Sequence, residues 1–262
     1  MIRTLLIIAG AALVLCLVTA AGAFGLGGRD LAHNGWTWTW IEGRGDGSAQ
    51  FSRGRPSEAE FGPDITRDTP WTGGDSLTVD LPADVVYVQG PANSVRVTGP
   101  QNLVDLIKVE GGRIYMDQER GERVTVTFDR NGVRALSDIE RLSITVTAPS
   151  VTRFSVNGSE DLEIQAYDQD TLTAAVSGSG GVQAQGRARA LMLDVTGSGR
   201  ADLEDLIATD ATISVTGSGN ATVNASGSVD ANVSGSGDIE LTRRPARLNS
   251  NVSGSGNVDE SF

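Results

Sequence analysis

The feature that most constrains the fold is a short repeat in the second half of the chain. The sequence Gly-Ser-Gly, preceded by Val-Ser or Val-Thr, occurs five times, and its valines are Val176, Val195, Val215, Val233 and Val252. A degenerate sixth copy, SVNGSED, surrounds Val156. Successive valines are 20, 19, 20, 18 and 19 residues apart. A nearly constant period of this length is typical of solenoids, in which each repeat is one structural unit stacked on the next.

Apolar residues recur at fixed positions on both sides of the glycines. Two residues before each valine stand Phe154, Ala174, Leu193, Ile213, Ala231 and Ser250. Six residues after each valine stand Leu162, Val182, Ala201, Ala221, Ile239 and Val258. The apolar positions are two residues apart, which is the period of a strand, whereas a helix needs spacings of three and four. Each unit is therefore predicted to contain a strand, a tight Gly-rich corner, a second short strand and a polar return.

The repeated glycines are predicted to form the corner at which every coil turns. Glycine supplies a positive φ, or lets two stretches of backbone approach closely. A flexible Gly/Ser linker is the alternative, but linkers do not carry aliphatic residues at fixed offsets. The repeat therefore favours stacked coils.

The tandem repeats, together with the upstream stretch from Leu77 to Tyr115, resemble the head GIN domain of the putative autotransporter adhesins. This is a family of the bacterial envelope. The resemblance implies a right-handed parallel β-helix. It implies no activity, and it provides no catalytic or ligand-binding residues to carry over to this chain.

The N-terminus predicts export. One positive charge, at Arg3, precedes an apolar or small run from Leu5 to Gly28, which is long enough to cross a bilayer core about 30 Å thick. The sequence Ala-Gly-Ala at residues 21–23 also suits a signal peptidase. Residues 1–28 are therefore predicted to form a hydrophobic helix, either a cleaved signal peptide or a retained membrane anchor. Cys16 is the only cysteine, so stability must come from the stacked core rather than from a disulfide.

Residues 29–70 are predicted to be a linker, because most of this stretch is rich in Gly, Ser, Pro, Arg and Glu and has little periodicity. Trp36, Trp38 and Trp40 would share one face of an extended segment. Such a face suits an aromatic belt at a membrane surface or a strand that caps the solenoid, and we favour the strand.

Residues 71–150 are predicted to form irregular coils of the same solenoid, since their apolar and polar residues alternate without the Gly-Ser-Gly corner. A separate small β-sandwich is the alternative. The sequence from Asp129 to Gly132 is a good turn, and it predicts a hairpin there.

Composition argues against several kinds of chemistry. The formal net charge of −12 and the pI near 4.5 disfavour nucleic acid and anionic lipid as partners. His33, the only histidine, precedes the predicted solenoid, which removes a Ser-His-Asp triad and an ordinary zinc site from it. Directly after the five Gly-Ser-Gly corners there is a single acid, Asp238, too few for stacked calcium sites. We therefore predict no catalytic, cofactor-binding or metal-binding residues and no cofactor.

An enzyme remains as an alternative, because some polysaccharide-degrading enzymes are parallel β-helices with carboxylates and a basic residue on an outer groove. The candidates on neighbouring coils are Asp202, Glu204, Asp205, Arg187, Arg189, Arg243 and Arg244. Acids and arginines on a polar return are normally a solvated face, so this interpretation is the weaker one.

The sequence thus predicts an all-β protein whose regular coils, of about 19 residues each, occupy residues 151–262. The expected function is that of an exported, non-catalytic module of the periplasm or cell surface. It would bind a surface glycan or an envelope protein, would not bind nucleic acid, and would reach the membrane through its N-terminal segment if that is not cleaved. A polysaccharide-processing enzyme and a structural periplasmic protein without a ligand are the alternatives.

Overall fold

The computed structural model describes residues 36–41, 63–117, 123–129, 132–137 and 141–262. The chain divides into two compact units, one formed by residues 1–60 and 120–138 and the other by residues 61–119 and 139–262. The hydrophobic helix predicted for residues 1–28 lies outside the described residues. Within the described ranges, no helix has the length and apolar character that crossing a membrane requires.

The described residues form strands and one short helix. In chain order these are β1 (Trp36–Ile41), β2 (Asp64–Pro70), β3 (Ser76–Asp80), β4 (Val85–Gln89), β5 (Ser94–Pro100), α1 (Gln101–Val104), β6 (Ile107–Glu110), β7 (Arg113–Met116), β8 (Arg123–Asp129), β9 (Gly132–Ser137), β10 (Ser143–Ala148), β11 (Arg153–Gly158), β12 (Asp161–Gly178), β13 (Gly181–Gly197), β14 (Arg200–Gly217), β15 (Asn220–Ala225), β16 (Ser228–Gly235), β17 (Asp238–Leu241), β18 (Arg247–Gly254) and β19 (Asn257–Glu260).

The first unit contains a three-stranded antiparallel sheet with the strand order β1-β8-β9. Asp129 pairs with Gly132, so β8 and β9 form the hairpin that the turn sequence predicts. The Trp-rich segment is strand β1, paired with β8. The strand interpretation of these tryptophans is therefore confirmed, while their proposed role as a cap of the solenoid stays a prediction.

The second unit is a β-solenoid of about five turns. Strands β12, β13 and β14 are 18, 17 and 18 residues long, so each follows nearly a whole coil and pairs in parallel with the next. The repeat valines stack in register, with Val176 opposite Val195 and Val195 opposite Val215. The residues that pair between coils are thus the same residues that align when the sequence repeats are superimposed.

The columns of apolar residues form the core. The described apolar residues at the inward positions of β11 to β17 are buried, among them Leu162, Ile213 and Ile239 with exposed fractions of 2 % or less. Burial of a full-sized aliphatic side chain contributes about 1.5–3 kcal/mol. Because every coil adds the same columns, the core is continuous along the solenoid.

Coils of different length keep one register because the length differences are absorbed at corners between the paired stretches. Between β12 and β13 the register shifts after Ile164, where Ala166 adopts a φ of +53° and adds a residue to the coil. Between β13 and β14 it shifts at the equivalent corner, after Gln183. Bulges of this kind absorb additional residues without disturbing the ladders on either side. The spacings of 18 to 20 residues between valines are therefore compatible with a single stack.

The earlier strands of this unit belong to the same sheet and mix the two pairing directions. Strand β3 pairs in parallel with β11, and β4 pairs in parallel with β12 and β10. Strand β5 is antiparallel to both β10 and β2, and β6 is antiparallel to β7. Strand β2 lies in the range that the sequence assigns to the linker.

The corner glycines are required by both conformation and space. Gly217 has a φ of +113°, and a Cβ atom placed on it would lie 2.4 Å from the carbonyl oxygen of Gly197 in the preceding coil. A Cβ atom on Gly237 would lie 2.1 Å from the carbonyl oxygen of Gly219. Each glycine of the motif therefore stacks directly on its predecessor, as the repeat predicts.

Candidate functional site

The outward-facing side chains of the first half of each coil form a surface that we call the polar face. One column of this face contains Asp161, Gly181, Arg200, Asn220, Asp238 and Asn257. The next column contains Glu163, Gln183, Asp202, Thr222, Glu240 and Asp259. Neighbouring coils are about 4.8 Å apart, so the side chains within a column are close neighbours.

Gly181 interrupts the first column and leaves a hollow. The residues above and below it, Asp161 and Arg200, belong to coils whose backbones are about 10 Å apart, which is two coil spacings. The Oδ1 atom of Asp161 reaches over Gly181, 2.6 Å from the place that a Cβ atom would occupy. The hollow has a volume of about 270 Å³, and Gln183, Asp202 and Asn220 also line it. The absence of one Cβ atom in an otherwise regular ladder therefore creates a recess on this face.

A second, smaller hollow continues from the first along the strand direction. Its volume is about 120 Å³, and it shares Gln183 and Asp202 with the first hollow. Glu163, Gln185 and Asp205 complete its polar lining. The two hollows together form a short polar groove with four carboxylates and one guanidinium on its walls.

The side chains in the middle of this groove have no partner in the described part of the chain. Among the described residues, the side chains of Asp161, Gln183, Arg200 and Asp202 make no hydrogen bond or ion pair. Elsewhere, exposed arginines pair with aspartates of a neighbouring strand, as Arg187 does with Asp168. The groove therefore presents donors and acceptors that the fold does not use.

The rest of the first column shows what the fold does with such side chains. The Oδ1 atom of Asn220 accepts a hydrogen bond of 3.1 Å from the backbone N–H of Asp238. The Oδ1 atom of Asp238 in turn accepts one of 2.9 Å from the N–H of Asn257. The N–H of Gly181 instead donates to the carbonyl of Glu160. The side chain of Asp161 therefore does not accept the N–H of the next coil, as those of Asn220 and Asp238 do.

The second half of each coil carries a different surface on its outer side. A hollow of about 200 Å³ lies there over Ala190, between Thr171, Thr173, Met192 and Thr212. Met192 is exposed. Two aspartates, Asp210 and Asp230, also line this hollow, but their carboxylates already accept hydrogen bonds from the N–H of Ser228 and from the Asn249 amide. This side therefore offers fewer unpartnered carboxylates than the polar face.

A scan against family models matches residues 75–245 to the family described as "Putative auto-transporter adhesin, head GIN domain". The chain belongs to this family. The resemblance read from the repeat is therefore confirmed, and the match covers the irregular strands from β3 onward and most of the regular coils. None of the curated proteins matches the chain.

A solved structure shares the fold of this head GIN domain. A protein described as a putative adhesin, from Bacteroides fragilis, has a TM-score of 0.58 at 23 % identity, covering 76 % of this chain and 97 % of that one. A protein described as a "putative lipid binding protein" and another described as a "putative adhesin", both from Parabacteroides distasonis, have TM-scores of 0.47 and 0.46 at 21 % and 19 % identity. Each of these two comparisons covers 76 % of this chain and 97 % of the other.

The residues considered for an enzyme do not form one constellation in this head GIN domain. The Nε and Nη2 atoms of Arg187 each bind Asp168 at 2.9 Å, and Arg189 pairs with Asp170 at 3.3 Å. These arginines are thus engaged with the preceding coil rather than with the carboxylates of the groove.

The remaining candidates are spread over other parts of the surface. Asp202 and Asp205 line the groove, while Glu204 is exposed at the neighbouring corner. Arg243 and Arg244 are exposed in the turn that leads into β18, where Arg244 lies 4.8 Å from the centre of the Phe262 ring. The described residues therefore contain no cleft that joins these acids and bases.

The buried aromatic residues have a structural role. The Phe154 ring packs edge-on between Tyr87 and Tyr167, with centroid distances of 5.0 and 6.0 Å. The Tyr87 hydroxyl donates to the backbone carbonyl of Ala148, and the Tyr167 hydroxyl donates to that of Thr171. Burial raises the pKa of both tyrosines above the ordinary value. Among the described residues, no group of three or more His, Cys, Asp or Glu side chains is placed to hold a metal ion.

The groove is the part of the site that reasoning from the sequence missed. The sequence does contain an indication of it, because one glycine stands among polar residues at the position after the Gly-Ser-Gly corners. These residues are Gly181, Arg200, Asn220, Asp238 and Asn257. From the sequence, this column predicts only that the acids are too few for stacked calcium sites. Its single missing side chain, rather than any charged residue in it, is what shapes the surface.

Proposed function

We propose that this head GIN domain is an exported, non-catalytic binding module of the cell envelope, which contacts glycans or proteins through its polar face. The family description names adhesins rather than enzymes. A rigid stack of coils presents the same kinds of side chain at intervals of about 4.8 Å, which favours several weak contacts over one deep pocket.

The observation that carries the proposal is the set of unpartnered polar side chains in the groove. Burying a polar group without a hydrogen bond is costly, and an exposed group keeps its bonds to water until a ligand replaces them. Asp161, Gln183 and Arg200 have no partner in the described structure, so a ligand can engage them without breaking an existing ion pair.

Binding is tested with the full chain, immobilised and exposed to an array of glycans and to solubilised envelope proteins. We expect saturable binding to at least one class, and we expect weaker binding by the double variant Gln183→Ala/Asp202→Ala. The matched control is Thr212→Ala, because Thr212 lines the hollow on the second half of the coils and not the groove. Binding to neither class, at concentrations up to the millimolar range, would overturn the proposal and favour a structural protein without a ligand.

The same preparation distinguishes a binding module from an enzyme. Oligosaccharides are incubated with the protein and analysed for shortened products. The proposal predicts no turnover. Saccharide cleavage that is lost in Asp202→Asn or Glu204→Gln would replace it with the enzyme interpretation.

Export through residues 1–28 is a second part of the proposal, motivated by their apolar run. Cell fractionation with N-terminal sequencing of the mature protein tests it. A protein shortened by the leader, or an intact chain in the membrane fraction, supports export. An intact chain in the cytosolic fraction contradicts it.

A further inference from the structure

We propose that the groove at Gly181 is a subsite for a neutral oligosaccharide, with one sugar ring in the larger hollow and the next in the smaller one. This inference rests on the proposed binding function and specifies the ligand class and the place where it binds. It is carried by the shape of the groove, by the types of side chain on its walls and by its charge.

The dimensions of the groove suit single sugar rings. The larger hollow, of about 270 Å³, lies just below the range of about 300–1,000 Å³ that pockets for drug-sized ligands occupy. The smaller hollow adds about 120 Å³ along the strand direction. Since the two hollows share Gln183 and Asp202, adjacent sugars of one chain can lie in them, so that the saccharide runs along the strands and not along the solenoid axis.

The side chains provide the donors and acceptors that sugar hydroxyls require. Neighbouring hydroxyls of a sugar can donate to one carboxylate, and Asp161 and Asp202 stand on opposite sides of Gln183. Arg200 and Gln183 supply N–H donors for ring and hydroxyl oxygens. Hydrogen bonds that involve an ionised group are roughly twice as strong as bonds between neutral groups.

The charge of the groove selects against other ligands. Four carboxylates and one guanidinium give the walls a net negative charge, and the whole chain has a formal charge of −12. Uronate, sulfate and phosphate groups are therefore repelled. The lining residues are mostly polar or charged, whereas the buried core of a protein interface is depleted of charged residues, which disfavours a protein partner.

Gly181 offers a substitution that fills the groove with a residue the fold already accepts. Asn220 and Asn257 occupy the same register position in later coils, and the φ of Gly181 does not require glycine. A Cβ atom at position 181 would lie 2.6 Å from Oδ1 of Asp161, a side-chain atom that can rotate away. Gly181→Asn should therefore fold normally and close the larger hollow.

The test uses the full chain on a glycan array that holds neutral, uronate-containing and sulfated oligosaccharides. The best-bound neutral member is then titrated against each variant by calorimetry. We expect Gly181→Asn to weaken binding at least tenfold and Gln183→Ala to weaken it several-fold. Asp238→Asn, which keeps the Oδ1 acceptor in the same column outside the groove, should change affinity less than twofold. The circular dichroism and melting temperature of each variant are compared with those of the parent protein.

The outcomes separate this inference from the proposed function. Neutral glycan binding that Gly181→Asn leaves unchanged would show that the sugar binds elsewhere, while the binding function itself stands. Preference for sulfated or uronate glycans, or binding of protein alone, would overturn the choice of ligand. No binding to any glycan or protein would overturn both.

Discussion

Gly217→Ala is the most informative test of the stacked corner, because it adds one methyl group where the structure leaves no room for it. The φ of +113° places Gly217 in a region that L-residues rarely adopt, and the new Cβ would lie 2.4 Å from the carbonyl oxygen of Gly197. Residues held in sparsely populated backbone regions cost about 1–3 kcal/mol, and forced packing in a filled site costs about the same again. We expect a total loss of about 2–6 kcal/mol in the free energy of unfolding.

That loss is large against the stability of about 5–15 kcal/mol that folded proteins have. Urea denaturation followed by circular dichroism measures it. In a solenoid, stability is a sum over coils and their neighbours, so hydrogen exchange should locate the damage in β13, β14 and β16. Ser218→Ala is the matched control, since Ser218 is the exposed neighbour of Gly217, and it should change stability by less than about 0.5 kcal/mol. If Gly217→Ala were as stable as Ser218→Ala, the corner could not be stacked as described.

Three further predictions concern the core and its titrating groups. Leu203→Ala, at a fully buried position, should cost about 2–5 kcal/mol in urea denaturation, and a loss under 1 kcal/mol would contradict its burial. Because the folded-state pKa values of Tyr87 and Tyr167 are raised, stability should be complete below about pH 10 and fall above it, which urea midpoints at pH 8 and pH 11 measure. The Arg187 guanidinium lowers the pKa of Asp168 through hydrogen bonds, so Arg187→Gln should raise that pKa, as followed by NMR titration, and an unchanged pKa would refute the pairing.

The register of the regular coils could be predicted from the sequence because two independent features of the repeat define it. The Gly-Ser-Gly corners align the coils, and the apolar columns on either side confirm the alignment, as Leu162 opposite Val182 illustrates. A one-residue slip would turn the whole column outward, so the core enforces the register. The right-handedness of the coiling stays a prediction.

The earlier strands were predicted only in part. Alternation of apolar and polar residues identifies β5, β7 and β10, whereas β2 lies in the range that was predicted to be a linker. Alternation also contains no information about the direction of pairing. Strand β5 pairs antiparallel with β2 and β10, and β7 pairs antiparallel with β6, whereas coils of a regular solenoid pair in parallel. Without a repeat to align them, their neighbours are decided by tertiary packing.

The groove could not be predicted, because it depends on which side chains satisfy one another across coils. Asp161 and Asn220 occupy equivalent positions in the sequence repeat. Only Asn220 accepts the N–H of the following coil, because after Asp161 that N–H donates to the carbonyl of Glu160. The positions of the extra residues could not be predicted either. The sequence shows spacings of 18 to 20 residues between the valines, but it does not show at which corners the differences in coil length are absorbed.

The register of adjacent coils is the central claim, and disulfide mapping between exposed positions tests it most directly. Thr196 and Thr216 are register partners, and parallel neighbours about 4.8 Å apart lie within the range of about 4.4–6.8 Å that a disulfide requires. Ser214 lies two residues away on the same strand, about 8 Å from Thr196, which is too far. In a Cys16→Ser background, the pair Thr196→Cys/Thr216→Cys should cross-link under mild oxidation. The pair Thr196→Cys/Ser214→Cys should not. Cross-linking of the second pair in preference to the first would contradict the stacked register on which the fold and the groove both depend.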